Sequence, residues 1–186
     1  MIGRGSDDRP EERLVDLARG GDAAAFAELV TRHQVLATRV ARVAAPTADL
    51  DDVVQEAFVK AWLALPRFRS GAAFRPWLCA IVANEARNRA RSAGRREALT
   101  LRAATPGPLP VDPADAALDR ETSEALVAAM NRLSAADRLV IAYRWLFELS
   151  EAEMAEALDV APGTVKSRLS RAMTRLRTIL AEEASS

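Results

Sequence analysis

The sequence has little of the chemistry on which most enzymes depend. Its 186 residues include one cysteine, Cys79, and one histidine, His33. A single cysteine excludes an intramolecular disulfide, and these two residues cannot supply the roughly four Cys or His ligands of a structural zinc site. Nothing around either residue resembles a catalytic nucleophile. We therefore expect both to be structural, with no catalytic residue, no metal and no cofactor.

The sequence also lacks the features of exported or membrane-inserted proteins. Its polar N-terminus carries Asp7 and Asp8, whereas a secretory signal begins with basic residues and continues with an apolar stretch. No apolar run approaches the roughly 20 residues that span a bilayer. We expect a cytoplasmic protein with no direct membrane insertion.

Aromatic residues make up only 5% of the chain, and β-branched residues other than Val are sparse. Ala, Leu, Arg and Glu dominate instead, which favours an all-α fold. Four of the nine prolines lie between residues 103 and 117, where they prevent a continuous helix and favour an extended tether. The sequence thus predicts two small helical domains, residues 11–96 and 118–183, joined by a flexible Pro-rich linker, residues 97–117.

The net charge is zero, but the charges are unevenly distributed. Residues 67–102 contain nine arginines and two glutamates, a net charge of +7, and residues 161–186 have a net charge of +3. Residues 1–66 and 103–160 compensate with net charges of −3 and −7. Two separated basic stretches indicate two contacts with a polyanion. The alternative is that both are solvated helix faces.

The clearest amphipathic segment of the first half begins at its predicted N-cap, Asp49, and stops at Pro66. Its apolar residues follow the i, i+3, i+4, i+7 rule of a helix that packs on a core. They are Leu50, Val53, Val54, Ala57, Phe58, Ala61, Trp62 and Leu65. The opposite face carries Asp51, Asp52, Gln55, Glu56 and Lys60. This acidic face is either solvated or a surface for a partner.

A basic loop and helix follow. The loop, residues 67–75, has Gly71 as its predicted hinge, and the helix runs from Trp77, after Pro76, to about Ser92. Aromatic rings beside Arg and Asn suit unpaired nucleic acid, because rings stack on bases and amides bond to their edges. The candidate residues are Phe68, Arg69, Ser70, Phe74, Trp77, Asn84, Arg87, Asn88 and Arg91. Each aromatic taken alone is more often a core residue than a platform for a base, and the combination with a loop and a basic helix favours nucleic acid.

The second half contains a predicted helix-turn-helix. Ser150, with Glu153 three residues later, predicts a capping box, residues 159–161 form the turn, and Pro162 begins the second helix. The exposed face of that helix carries hydroxyl and basic residues that suit DNA, with arginines for guanine edges. They are Thr164, Lys166, Ser167, Arg168 and Arg171. An ordinary αα-hairpin with a solvated polar face is the alternative.

Three stretches, in this order along the chain, carry a family resemblance. They are residues 49–62 (DLDDVVQEAFVKAW), 68–78 (FRSGAAFRPWL) and 149–172 (LSEAEMAEALDVAPGTVKSRLSRA). Together they resemble the sigma-70 superfamily of RNA polymerase sigma factors, specifically its small two-domain extracytoplasmic-function (ECF) group. The resemblance covers nearly the whole chain, from Leu14 to Leu180.

The resemblance implies a function in transcription initiation, in which the chain directs core RNA polymerase to promoters and helps to melt the DNA. It implies that Asp52, Gln55 and Glu56 contact the clamp helices of the polymerase β′ subunit. The loop and helix candidates, residues 68–91, then bind the single-stranded minus-ten element, with Asn88 standing where such proteins often have Asp. Residues 164–171 bind the minus-thirty-five element, and the second domain docks on the β flap.

An anti-sigma protein is a further partner that the resemblance suggests as a hypothesis, because many members of the group have one. A stand-alone helix-turn-helix regulator is the main alternative function, but it leaves residues 49–62 and 68–78 unexplained. An all-helical enzyme is a weaker alternative, since the sequence has no glycine-rich phosphate loop, metal-ligand set or nucleophile constellation. We therefore predict a promoter-recognition subunit and not an enzyme.

Overall fold

The computed structural model describes residues 9–100 and 120–183, and these form helices and connecting turns without a strand. The predicted all-α fold is confirmed. The helices are α1 (Glu11–Arg19), α2 (Ala23–Ala44), α3 (Leu50–Ala64), α4 (Phe74–Thr100), α5 (Arg120–Arg132), α6 (Ala135–Trp145), α7 (Glu151–Leu158) and α8 (Pro162–Glu183). A short 3₁₀ turn, Leu65–Arg67, follows α3.

Short polar side chains begin several of these helices, and Asp49 does so where the sequence predicts. The Asp22 carboxylate accepts hydrogen bonds from two backbone N–H groups of α2, and the Asp49 carboxylate accepts one from Asp52 of α3. The Ser134 hydroxyl accepts one from the Asp137 N–H of α6. Each cap satisfies backbone donors that the first turn of a helix leaves without partners.

The first half of the chain packs helices α1–α4 around a small-residue core. Leu14 of α1, Leu29 of α2, Val53 of α3 and Leu78 of α4 are all at most 1% exposed. Alanines fill much of the remaining interior, which lets the helices approach closely. The apolar stripe predicted on α3 is therefore confirmed as a core face.

The second half packs α5–α8 around Tyr143, Leu149 and Met154, each of which has no exposed surface. The apolar side of α8 also faces inward, since Val165 and Ala172 are fully buried. Trp145 of α6, by contrast, is 55% exposed. It occupies the last position of α6, beyond the part of that helix that packs against its neighbours.

Helix α4 is longer than the sequence predicts at both ends. It begins at Phe74 and not at Trp77, so that Pro76 lies in its first turn, where a missing N–H costs nothing. It ends at Thr100, and its last four residues lie in the predicted linker, 97–117. The single Gly94 costs about 1 kcal/mol in a helix, which does not stop propagation. The rest of the predicted linker lies outside the described residues.

The two halves pack against each other and share one continuous buried cluster. Helix α7 packs on α4, and α6 packs on α2. The buried guanidinium of Arg138 in α6 donates through Nε to the backbone carbonyl of Val43, 2.9 Å away at the end of α2. Arg75 of α4 donates to the carbonyl of Phe147. The composition and the proline cluster gave no indication of this packing.

Candidate nucleic-acid and protein interfaces

The acidic residues predicted on α3 lie together at the surface. Because Val53 and Ala57 point into the core, Asp52 and Gln55 are exposed and Glu56 is half-buried on the opposite side. We call the surface formed by Asp52, Gln55 and Glu56 the acidic face. It presents two carboxylates and an amide to a partner.

Two carboxylates of the acidic face contact cations. Arg89 Nη1 of α4 lies 3.4 Å from Asp52 Oδ2, and Lys60 Nζ lies 3.6 Å from Glu56 Oε1. Both cations also bond to the buried carboxylate of Glu85 in α4. This cluster joins residues from two helices and is not evident from the order of residues in the sequence. The i, i+4 spacing of Glu85 and Arg89 is the signal that could have indicated one of its pairs.

An apolar groove of about 760 Å³ lies beside the acidic face, between α2 and α3. The rings of Phe26 and Trp62 pack within it, with centroids 4.9 Å apart. Val35, Val59 and Leu63 line it and are 59%, 48% and 68% exposed. The four-residue spacing of Val59 and Leu63, on the side of α3 that is otherwise polar, could have indicated this groove. Exposed apolar surface of this kind marks a protein interface.

The rings predicted to stack on unpaired bases form a cluster that is mostly internal. Phe68 and Phe74 are 5% and 2% exposed, whereas Trp77 is half-buried. The centroid of the Trp77 ring lies 4.8 Å from the centroid of the Phe68 ring and 5.5 Å from that of the Phe74 ring. The ring of His33 packs 5.2 Å from Phe74. In this conformation the rings of Phe68 and Phe74 pack inside the molecule, and neither has an exposed face on which a base could stack.

The polar residues of the same loop are exposed. Arg69 and Ser70 point to solvent, and Gly71 has a φ of +75°, a left-handed conformation that favours glycine. The backbone turns here, where the Ala72 N–H donates to the Arg69 carbonyl, and a hinge at Gly71 stays a prediction. The structure therefore places a basic and a hydroxyl side chain at the loop surface, in the same loop as the buried Phe68.

The four polar residues predicted on α4 lie on one side of that helix. Asn84, Asn88 and Arg91 are exposed and Arg87 is half-buried. Arg87 Nη2 donates to Asn84 Oδ1 and Arg91 Nη2 donates to Asn88 Oδ1, so each amide is paired with an arginine one turn later. These pairs hold two amides and two guanidinium groups in a row along about two turns, a surface suited to bases and phosphates.

The predicted capping box is present at the start of α7. The Glu153 N–H donates to the Ser150 hydroxyl, and the Ser150 N–H donates to the Glu153 carboxylate 2.9 Å away. The hydrogen bonds from Ser150 lower the pKa of Glu153 below its ordinary value. Helix α7 ends at Leu158, and the next residue, Asp159, adopts a left-handed conformation with a φ of 52° and turns the chain into α8.

The first three turns of α8 present the predicted recognition residues. Lys166, Ser167, Arg168 and Arg171 are exposed, and Thr164 is half-buried. The Ser167 hydroxyl donates to the Thr164 carbonyl, and Arg171 Nε donates to the Ser167 carbonyl, so these side chains lie along the helix. This is the arrangement of a helix-turn-helix, in which the second helix enters the major groove.

Two absences concern only the residues that the structure describes. Within 9–100 and 120–183, no three His, Cys, Asp or Glu side chains gather in a way that could hold a metal ion. None of the described helices combines the length and the apolarity needed to cross a bilayer.

Comparison with protein families matches both halves of the chain. The sigma-70 region 2 family matches residues 29–96, which include the acidic face, the loop and the polar side of α4. The sigma-70 region 4 family matches residues 123–176, which include the helix-turn-helix. The two matches leave the Pro-rich segment between them uncovered.

Two sequence relatives align over almost their whole lengths. The RNA polymerase sigma factor NccH of Alcaligenes xylosoxydans xylosoxydans is 34% identical over 94% of this chain and 97% of that protein. The ECF RNA polymerase sigma-E factor of Escherichia coli K12 is 34% identical over 90% of this chain and 92% of that protein.

Two solved structures have a similar fold. CnrH in complex with the cytosolic domain of CnrY is 30% identical, with a TM-score of 0.66 over 95% of this chain and 99% of that chain. The sigma factor RpoE in complex with the anti-sigma factor NepR, from Bartonella quintana, is 28% identical, with a TM-score of 0.69 over 84% of this chain and 96% of that chain.

Proposed function

The chain belongs to the sigma-70 family, as an RNA polymerase sigma factor of the ECF group, and we propose that it recognises promoters through three separate surfaces. The acidic face of α3 binds core polymerase, the loop and polar side of α4 bind the minus-ten element, and the first three turns of α8 bind the minus-thirty-five element. The proposal rests above all on the head of α8, where two arginines, a lysine and a serine are exposed directly after a capped α7 and a left-handed turn.

The recognition helix offers a matched test, because α8 carries arginines on opposite sides. Arg168 and Arg171 lie on the side predicted to enter the major groove, whereas Arg177 is also exposed but lies about 180° around the helix from Arg168. Replacing an arginine that bonds to a guanine costs about 1–3 kcal/mol of binding and relaxes the sequence preference. We expect Arg168→Ala and Arg171→Ala to weaken minus-thirty-five recognition, and Arg177→Ala to have little effect.

The acidic face is proposed to bind core polymerase because its carboxylates are accessible and lie beside an exposed apolar groove. The double variant Asp52→Lys/Glu56→Lys replaces two negative charges of this surface with positive ones, which would repel a partner that binds the carboxylates. We expect it to abolish polymerase binding. Glu12→Lys/Glu28→Lys on α1 and α2 is the control, because it changes the net charge by the same amount outside the acidic face. If the double variant bound polymerase normally, this assignment would be wrong.

The minus-ten surface is proposed to use the exposed groups around the buried rings. Arg69, Ser70, Asn84, Asn88 and Arg91 are accessible. Phe68 and Phe74 act by holding the loop in place. Trp77, with part of its ring accessible, is the aromatic positioned to stack on a base, an interaction worth about 1–3 kcal/mol per base. We expect Trp77→Ala to reduce open-complex formation more than Trp145→Ala, which alters an exposed ring on α6.

The compact arrangement of the two halves must open for both promoter elements to be bound. About 25 base pairs separate positions minus ten and minus thirty-five, a distance of roughly 85 Å along the duplex at about 3.4 Å per base pair. A compact chain of this length has a radius of gyration of only about 16 Å. The connection between Thr100 and Arg120 can reach at most about 70 Å. We propose that docking on polymerase breaks the contact between α4 and α7. The connection between Thr100 and Arg120 then extends between the two separated halves.

An anti-sigma protein is a proposed second partner. Two structures of similar fold are complexes, one of CnrH with the cytosolic domain of CnrY and one of the sigma factor RpoE with the anti-sigma factor NepR. Such a partner would hold the halves together, or cover the acidic face, and so compete with core polymerase. Adding it to a mixture of this chain and core should lower the amount of holoenzyme, measured by native gel filtration.

The experiment that tests the whole proposal is run-off transcription with purified core polymerase on a library of random promoters. We expect transcripts that depend on this chain and share two upstream motifs with a fixed spacing. Arg168→Ala should change the preference at the distal motif, and Asn84→Ala at the proximal motif. Absence of stimulation, together with absence of binding to core, would overturn the proposal.

A further inference from the structure

Glu85 is a charged residue inside the first half of the molecule. It lies on α4 next to Asn84, but its side chain turns toward α3 and is only 6% exposed. It accepts hydrogen bonds from Lys60 of α3 and from Arg89 of α4, whose Nε lies 3.2 Å from Glu85 Oε1. A carboxylate is expensive to bury unless cations and donors compensate for the lost water, and here two cations converge on it.

The same two cations reach the acidic face. Lys60 contacts Glu56 at 3.6 Å and Arg89 contacts Asp52 at 3.4 Å. The result is an ion-pair chain that alternates in sign, in the order Glu56, Lys60, Glu85, Arg89, Asp52. It contains three carboxylates and two cations, so it carries a net charge of −1. Without the charge of Glu85, the same surface would be neutral.

The position of Glu85 decides which carboxylates the cations neutralise. Ion pairs between exposed groups are weak because water and salt screen them, whereas a buried carboxylate attracts a cation through a lower effective dielectric. The side chains of Asp52 and Glu56 are 60% and 41% exposed, against 6% for Glu85. Burial raises the pKa of Glu85, but the hydrogen bonds from Lys60 and Arg89 outweigh it and lower the pKa overall, so Glu85 is ionised near neutral pH.

We propose that Glu85 is a positioning residue for polymerase binding, which holds Lys60 and Arg89 in the groove between α3 and α4 so that Asp52 and Glu56 keep their negative charge toward the partner. Glu85 touches no partner itself. This inference rests on the proposed function, since it assumes that the acidic face is the surface that binds core polymerase. It also links the polymerase-binding helix to the helix that faces the minus-ten element.

The test measures the affinity of the full-length chain for purified core polymerase. Glu85→Gln keeps the shape and removes the charge, which releases Lys60 and Arg89 toward the acidic face. We expect the affinity at about 50 mM salt to fall roughly 3- to 10-fold. The difference from wild type should shrink at about 300 mM salt, where the Debye length is shorter and exposed charges are screened.

Two further variants separate a charge effect from a structural one. Lys60→Gln in the Glu85→Gln background removes one released cation and should restore much of the affinity. The triple variant Glu85→Gln/Lys60→Gln/Arg89→Gln leaves Asp52 and Glu56 without cations, and should bind at least as tightly as wild type. Its three replaced side chains are all neutral, so none of them is a buried charge without a partner. The triple variant therefore remains informative if Glu85→Gln alone does not fold.

Three results would overturn the inference. They are unchanged affinity in Glu85→Gln, a loss that does not depend on salt, and a loss that the triple variant fails to restore although it is folded by circular dichroism. These failures differ from failure of the proposed function, which would appear as normal polymerase binding by Asp52→Lys/Glu56→Lys. If that variant loses binding and Glu85→Gln does not, only the positioning role is wrong.

Discussion

The phenol oxygen of Tyr143 in α6 lies 3.3 Å from the backbone carbonyl oxygen of Cys79 in α4 and donates a hydrogen bond to it. Tyr143 has no exposed surface, and burial raises the pKa of its phenol, which therefore remains a neutral donor. The two residues lie in different halves of the chain. Their hydrogen bond can form only while the halves are packed together, so it reports on the compact form.

Removing this hydrogen bond should measurably destabilise the compact form. Tyr143→Phe keeps the ring and deletes the hydroxyl, at an expected cost of about 0.5–1.5 kcal/mol in the free energy of unfolding. For a chain of this size, the melting temperature should fall by roughly 2–4 °C per kcal/mol. Urea denaturation and calorimetry would measure the change. Trp145→Phe alters an exposed ring on the same helix and should stay within about 0.5 kcal/mol of wild type; equal losses in both variants would contradict the prediction.

Arg138 makes a second connection between the halves, and its loss should promote their separation. Its guanidinium bonds to the carbonyls of Val43 and Leu133, and Arg138→Met fills similar space without those bonds. We expect a loss of about 1.5–3 kcal/mol, the range for hydrogen bonds to charged groups, and an increase in the radius of gyration measured by small-angle scattering. Arg144→Met, at an exposed position of α6, is the control. An unchanged scattering profile in Arg138→Met would count against a role in holding the halves together.

The capping box of α7 should stabilise the helix-turn-helix. Ser150→Ala removes the acceptor for the Glu153 N–H and should cost about 1 kcal/mol, within a range of about 0.5–2 kcal/mol. Because α7 positions α8, affinity for the minus-thirty-five element should fall as well. Ser170→Ala changes an exposed serine inside α8 and is expected to be neutral or slightly stabilising. Urea denaturation of both variants checks the difference, and a more stable Ser150→Ala would refute the role of the cap.

Glu153 should also make stability depend on pH in a defined window. Its carboxyl has a pKa below the ordinary 4.5 because of the hydrogen bonds from Ser150. A group whose pKa is lowered by folding contributes stability above its unfolded pKa and loses it as the pH falls through the lowered value. Stability from this group should therefore be constant from pH 7 to about 5 and decline below about 4.5. In Glu153→Gln the decline should be shallower, and identical acid profiles by urea denaturation would disprove the assignment.

Cys79 should be unreactive while the chain is folded. Its side chain is 1% exposed, and burial raises the pKa of the thiol to about 12. The thiolate is the reactive form, so alkylation at pH 8 should be far slower in the folded chain than in urea. Mass spectrometry would follow the modification. Rapid alkylation of the folded chain, or loss of transcription in Cys79→Ser, would show that the residue is more than a part of the core.

Local features of the sequence determined the helices and much of the helix-turn-helix. Ser150 and Glu153 form their capping box within four residues, and the apolar spacing of α3 and α8 defines which faces are buried whatever lies beneath them. Side chains on the opposite faces, such as Asp52 and Arg168, are exposed for the same reason. Features that depend on neighbours within about two turns of a helix could therefore be predicted from the sequence.

Contacts between distant residues were decided only by the tertiary structure. Phe68 and Phe74 lie in a basic loop, and only the packed structure shows that their rings are buried beside His33 and Trp77. In the sequence, Glu85 is an isolated acidic residue in an arginine-rich segment. Only the folded structure shows that Lys60 of α3, 25 positions earlier in the chain, bonds to it. The packing of the halves likewise depends on hydrogen bonds from Tyr143 and Arg138, whose partners lie 64 and 95 positions earlier in the chain. Sequence periodicity records which face of a helix is apolar, but not which partner covers it, because burial depends on the simultaneous placement of all the helices.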